Sequence, residues 1–142
     1  MEKDHVGFYI RNLSNLIHRR INRMVAEEEE SLTARQVWML DYLVHQGDRE
    51  IMQKDIEKEF SIRRSTASHM LTLMENNGYI RRVAVPRDAR LKRIVLTEKG
   101  RQAQERMTDR IKRFEAMMRA GMTDEEVEGF LMMLGRFEKN IL

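Results

Sequence analysis

Between Ser61 and Gly100 the chain gathers side chains that can bind but not react. Arg63, Arg64, Ser65, Thr66, Ser68 and His69 share one face of a helical pattern, and Arg81, Arg82, Arg87, Arg90, Lys92 and Arg93 follow closely. Ala67, Met70, Leu71 and Met74 fall on the opposite face of that pattern, so this helix has one side to bury and one to offer. Guanidinium and ammonium groups hold phosphate oxygens, while short hydroxyl side chains let a backbone approach closely enough for longer neighbours to reach base edges. The chemistry is non-covalent recognition of a polyanion, and the partner it implies is double-stranded DNA. A helix about 10–12 Å across fits the ~12 Å major groove.

The charge is local. From Ile51 to Arg101 there are 12 Lys and Arg against 6 Asp and Glu, whereas the other residues carry 14 against 17. A basic segment between slightly acidic flanks suits a lobe that meets a polyanion while its flanks do something else. The rest of the composition excludes other classes. There is no cysteine, hence no disulfide framework, thiol sensor or cysteine metal site. The four histidines, His5, His18, His45 and His69, form no metal-binding spacing, although His18 or His45 could approach the glutamates of 27–30. No nucleophile–base pair, phosphate-cradling glycine loop or catalytic carboxylate pair is present, so no enzyme activity, catalytic residue, metal or cofactor is expected. No apolar run is long enough to span a bilayer and the N-terminus lacks a signal-peptide pattern, which leads us to expect a cytoplasmic protein.

The elements that position these residues follow from periodicity. Val6, Ile10, Leu13, Ile17, Ile21 and Met24 lie at three- and four-residue steps, predicting a long helix from Asp4 to about Glu30. At ~1.5 Å per residue it is longer than a small domain needs, and a partner is expected for its stripe. Thr33 opens a second helix through a capping box with Gln36, its core face being Val37, Trp38, Leu40, Leu43 and Val44, and Gly47 ends it. Ile51 reads as a very short strand, Gln53 to Phe60 as the first helix of a helix-turn-helix, Ser61-Ile62 as its turn, and about Arg63 to Asn77 as the recognition helix. Gly78 stops that helix. Tyr79–Val85 and Leu91–Leu96 alternate as two antiparallel strands joined by the hairpin Pro86–Arg90. Thr97 caps a helix reaching about Ala120, and a second capping box, Thr123 with Glu126, opens the last one. The fold class is mainly α with a small antiparallel β wing: a winged helix-turn-helix lobe over about 33–100, and helices at about 4–30 and 101–142 forming an arm.

In the wing, Arg90 at the base is able to pair with Asp88 and fix the hairpin's shape, while Arg87 at the tip is free to enter the minor groove. The string Asp88-Ala89-Arg90-Leu91-Lys92-Arg93-Ile94-Val95-Leu96-Thr97-Glu98-Lys99-Gly100 resembles the wing of the MarR family of transcription regulators, with its D-x-R, alternating apolar residues and L-T-x-x-G. The element order extends the resemblance over essentially the whole chain. It implies a homodimeric regulator, usually a repressor, on a pseudo-palindromic operator, with the terminal helices as the dimer interface. It further implies that the Asp-x-Arg pair is a clamp and that a wing arginine, Arg87 or Arg90, reads the minor groove. An effector pocket is implied between arm and lobe, with His18, Trp38 and Tyr42 as candidate lining residues for a small aromatic or apolar effector. The methionines of the terminal helices, among them Met117, Met118, Met132 and Met133, suit a pliable interface or pocket. The sequence departs from the family's helix-turn-helix at three positions: Ser61 where Gly is frequent, Arg63 where a Ser or Thr cap is frequent, and His69 where Arg is common. A ligand-independent architectural DNA binder or activator is the alternative reading.

Overall fold

The computed structural model describes residues 4–29 and 31–142 and has the element order α1 (Val6–Ala26), α2 (Ala34–Val44), α3 (Gln53–Glu59), α4 (Arg64–Asn76), β1 (Ile80–Val85), β2 (Asp88–Leu96), α5 (Glu98–Met118) and α6 (Asp124–Ile141). The fold class is the expected one. Glu30, the expected end of the first helix, lies outside the described residues. The chain divides into two compact units, 1–108 and 109–142.

In the first unit the core is built from one face of each element. Ile21 and Val25 of α1, Val37, Met39 and Leu40 of α2, Ile56 of α3, and Ala67, Leu71 and Met74 of α4 are almost fully buried. Removing a Val, Leu, Ile or Met side chain from water stabilises by about 1.5–3 kcal/mol, and removing the Ala67 methyl by less. Trp38, expected in this core, is only half-buried, and Met39 takes its place because α2 turns position 39 inward. Local sequence sets the boundaries of α2. Thr33 Oγ1 accepts from the Gln36 amide at 3.4 Å while Gln36 Oε1 accepts from the Thr33 amide at 2.9 Å, and Asn22 Oδ1 on α1 accepts from the Ala34 amide at 2.7 Å. The last of these ties the end of α1 to the start of α2.

The two strands pair antiparallel from Ile80↔Leu96 to Ala84↔Lys92, and then Val85 pairs with Asp88. The three residues Ala89–Leu91 of β2 are therefore a bulge opposite the Ala84–Val85 step. The hairpin is tighter than expected, the turn itself being Pro86 and Arg87. A third short segment joins the sheet: Met52 bridges to Arg93, and the Ile51 carbonyl accepts from the Ile94 amide at 2.7 Å.

The junction of recognition helix, wing and α5 explains the L-T-x-x-G string. Gly78, at φ +81°, adopts the left-handed conformation that ends α4. Thr97 Oγ1 donates to the Gly78 carbonyl at 2.6 Å and accepts from the Gly100 amide at 3.1 Å. A Cβ at position 100 would run into the Tyr79 carbonyl and come within 2.8 Å of Leu96 Cδ1, so only glycine fits. Tyr79 itself is fully buried. Its hydroxyl shares a 2.5 Å hydrogen bond with Ser31 and donates to Glu29 Oε2 at 3.0 Å, and Glu29 in turn pairs with Arg106. Burial, above all, raises the Tyr79 pKa above the ordinary phenol value.

In the second unit, α6 begins at the capping box Thr123 with Glu126, at 3.1 and 2.8 Å, and has no buried residue. Phe130, Leu131, Met132, Met133 and Phe137 are exposed along it. The outer half of the α1 stripe is exposed too: Val6, Ile10 and Leu13 stand 39–46 % open, and only Ile21 and Val25 are buried. Among the described residues, no helix is long and apolar enough to cross a membrane.

Candidate nucleic-acid interface

The recognition helix α4 is held by its buried face, Ala67, Met70, Leu71 and Met74, and presents Arg64, Ser65, Thr66 and His69 outward. Ser68, expected among the outward residues, is half-buried because it adjoins Ala67 at the edge of the packed stripe. The helix starts without help. Arg63 is the N-cap, with φ −70° and ψ 154°, and makes no side-chain capping bond. The preceding turn contains Ser61 at φ +49°, the one described non-glycine residue with positive φ. Glycine is frequent at this point in the family because an L side chain is strained in that conformation. Gln53 of α3 donates to the Arg64 carbonyl at 3.3 Å and so ties α3 to the start of α4, leaving the first amides of α4 open.

The open amides and positive dipole end of α4 thus stand beside Arg63 and Arg64, a setting that favours a phosphate. Arg64 faces a cleft of about 700 Å³ between α3 and the wing, which Lys54, Arg90 and Lys92 also line. Helix start and wing therefore present cations to one opening, which Asp55 and Glu57 also line.

Not every wing cation is available. The Arg82 amide donates to Glu75 Oε2 at 2.7 Å, and its guanidinium donates to Glu75 Oε1 at 3.0 and 3.2 Å and to Thr72 Oγ1 at 3.3 Å. Arg82 fastens the wing to α4. The backbone hydrogen bond from Arg82, more than its charge, holds the Glu75 carboxyl below the usual carboxylate range. Arg87 is not free at the wing tip, as the sequence suggested. Its Nη1 donates to Glu50 Oε2 at 2.7 Å, because the tight Pro86–Arg87 turn brings the tip against the loop after α2. Arg90 pairs with Asp88 through its amide at 3.0 Å and Nε at 3.3 Å, yet its side chain remains 91 % exposed. Arg93 does not join Arg90 and Lys92. Strand alternation turns it to a second cavity of about 310 Å³, shared with Arg101 and the Gly47–Ile51 loop.

A third cavity, about 360 Å³, lies between α1, the start of α2 and α4. His18, Arg35, Thr66, His69, Met70 and Leu73 are among its lining residues. Of the three expected pocket residues only His18 lines it. Trp38 packs edge-on against His18 at 5.5 Å, behind the wall, and Tyr42, one turn further along α2, packs on Phe60 at 5.9 Å instead. His18 Nδ1 is buried with no hydrogen-bond partner. Arg35, Thr66 and His69 as cavity residues were not foreseen, since their approach to His18 depends on how α4 crosses α1.

The sequence model described as "MarR family" matches residues 30–91, which run from the start of α2 into the wing. The crystal structure of the transcription regulator MarR from Oenococcus oeni PSU-1 is 29 % identical and superposes with a TM-score of 0.79 over 94 % of this chain and 98 % of that one. The chain is thus similar to the MarR family, in sequence over residues 30–91 and in fold over nearly its whole length. Its winged-helix fold is that of a MarR transcription regulator. Among its curated relatives is the uncharacterized HTH-type transcriptional regulator YdgJ of Bacillus subtilis (strain 168), 28 % identical over 123 residues, 85 % of this chain and 74 % of that protein. The fold also matches the S. aureus MepR–DNA complex with a TM-score of 0.85 at 23 % identity, over 96 % of this chain and 98 % of that one. The residues that depart from the family's pattern, Ser61, Arg63 and His69, lie in the turn between α3 and α4 and in α4 itself.

Proposed function

We propose that the chain is a cytoplasmic, homodimeric repressor of a pseudo-palindromic operator, released by a small aromatic or apolar effector. The observation that carries this reading is the joint opening of Arg64, Arg90 and Lys92 on one cleft beside the uncapped start of α4. Arg63 and Arg64 hold phosphate at the positive helix end, Ser65, Thr66, Ser68 and His69 approach base edges, and the exposed Arg90 enters the minor groove. Arg87, Lys92 and Arg93 bind flanking phosphates. A histidine at position 69 offers one hydrogen bond where an arginine would make a forked, charged contact, so the base preference is its own.

The dimer reading rests on the exposed stripes of α1 and α6. An amphipathic helix with no buried residue has its apolar face in water, and a second copy covers it. The arm would be formed by about 4–30 and 101–142. Two recognition helices then enter major grooves about one turn, roughly 34–36 Å, apart. The effector reading rests on the cavity lined by His18, Arg35, Met70 and Leu73, one wall of which is the recognition helix. A ligand there releases DNA only if it binds better to a spacing of the helices that DNA does not accept.

The test is selection of duplexes from a randomised pool, followed by fluorescence anisotropy of the enriched sequence beside a scrambled one. We expect a palindromic motif bound by one dimer, with log affinity falling against log salt at a slope near about −7, for ~8 phosphate contacts. Enrichment of no motif, with equal binding to both duplexes, would replace the reading with an architectural binder. Absence of binding at low salt would defeat it.

A further inference from the structure

The two arginines of the wing tip are held by different parts of the molecule. Arg90 is held by Asp88, two residues away on the same hairpin, so that pair travels with the wing and survives any movement of it. Arg87 is held by Glu50, 37 residues away in the loop between α2 and α3. The adjacent Arg49 does not compete for that carboxylate, being engaged by Asp55 at 3.2 Å and by Gln46 at 3.4 Å, while Arg93 and Arg101 share a cavity with Glu50. The Glu50–Arg87 pair is therefore a tie between the wing tip and the body of the lobe, and both partners are about half exposed, at 42 % and 59 %.

We infer that Glu50 is a latch on the wing that sets DNA affinity, by holding Arg87 off the duplex until a phosphate displaces it. Two costs follow for the bound state. Arg87 must exchange the Glu50 carboxylate for a phosphate, and the freed carboxylate is then left facing a polyanion at short range. An exposed ion pair of this kind is weak enough to be exchanged, yet its loss weakens binding by roughly 2- to 5-fold for each wing engaged. Asp88 imposes no such cost, since Arg90 keeps it while pointing 91 % of its side chain into solvent. The latch thus tempers affinity and shortens the lifetime of the complex, while the shape of the wing is left to the Asp88–Arg90 clamp and to Arg82 on Glu75. The inference rests on the proposed contact of the wing with DNA.

The experiment is a double-mutant cycle of E50Q and R87Q, read by anisotropy on the duplex that the wild-type protein selects from a randomised pool, at several salt concentrations. E50Q should bind roughly 2- to 5-fold more tightly per wing, with the gain shrinking as salt screens the pair. R87Q should bind more weakly, and E50Q added to R87Q should give clearly less than its gain alone. Unchanged or weaker binding by E50Q would overturn the latch, as would an equal gain in both backgrounds, which would make Glu50 a plain repulsive charge. If R87Q and R90Q both bind like wild type, the wing contact itself is wrong and the latch falls with it. If R87Q or R90Q weakens binding while E50Q gains nothing, the latch alone fails.

Discussion

Glu75, near the end of the recognition helix, receives three hydrogen bonds from a single residue, Arg82, one from its backbone amide and two from its guanidinium. The wing is thereby bolted to the helix that precedes it, and the two present a common surface. Because the Glu75 pKa is depressed in the folded protein, the bolt is fully present above the ordinary carboxylate pKa of 4.5 and is lost as pH falls through the lower folded value. Glu75→Gln should lower stability at pH 7 by about 1–2 kcal/mol, the side chain being partly exposed. Urea midpoints between pH 7 and pH 3 give the check: the gap between wild type and E75Q should close on the acid side. A gap independent of pH would mean that the carboxylate charge contributes nothing.

Gly78 and Gly100 bracket the wing for different physical reasons, and substitution should separate them. Position 78 needs a positive φ but has room, the closest neighbour of a new Cβ being Lys99 Cδ at 3.6 Å. Asparagine tolerates that conformation, so Gly78→Asn should cost about 1 kcal/mol or less. Position 100 has an ordinary φ and no room, with the Tyr79 carbonyl in the way. Gly100→Ala should cost at least about 1–3 kcal/mol, because backbone rather than a flexible side chain must give. Thermal melts of the two variants would refute this account if G100A proved the milder change.

What could be read from the sequence was what short separations decide. The capping boxes at Thr33 and Thr123 and the stop at Gly78 all depend on residues within a few positions, and the structure has them where the spacing predicts. The departures at Ser61 and Arg63 were legible as residue types, and their consequences, a strained φ and an uncapped helix, follow directly. Pairings across the fold were not legible. Arg82 reads as one more cation until α4 and β1 bring Glu75 to it, and Arg87 reads as free until the Glu50 loop meets the wing tip. Tyr42 shares a helix face with Trp38, yet only the position of Phe60 decides which neighbour it meets. The cavity beside His18 depends on the approach of α1 to α4, which no periodicity encodes.

Arg63 occupies a position where stability and DNA binding ask for different residues. As N-cap it has the extended backbone a cap requires, but its side chain accepts no hydrogen bond from the first turn. A serine there could accept from the Thr66 amide, and Arg63→Ser should stabilise the fold by about 1 kcal/mol. The same change removes a cation from the open helix end, so the slope of log affinity against log salt should become shallower by about 0.9 per protomer if Arg63 neutralises one phosphate. Ser61→Gly makes the matching control: it relieves the strained φ of +49°, should stabilise by roughly 0.5–1 kcal/mol, and leaves the cations in place. Denaturant midpoints and salt titrations on both variants give the answer. If R63S gains stability and keeps the wild-type salt slope, Arg63 is no phosphate ligand, and the cation near the helix start that matters is Arg64 alone.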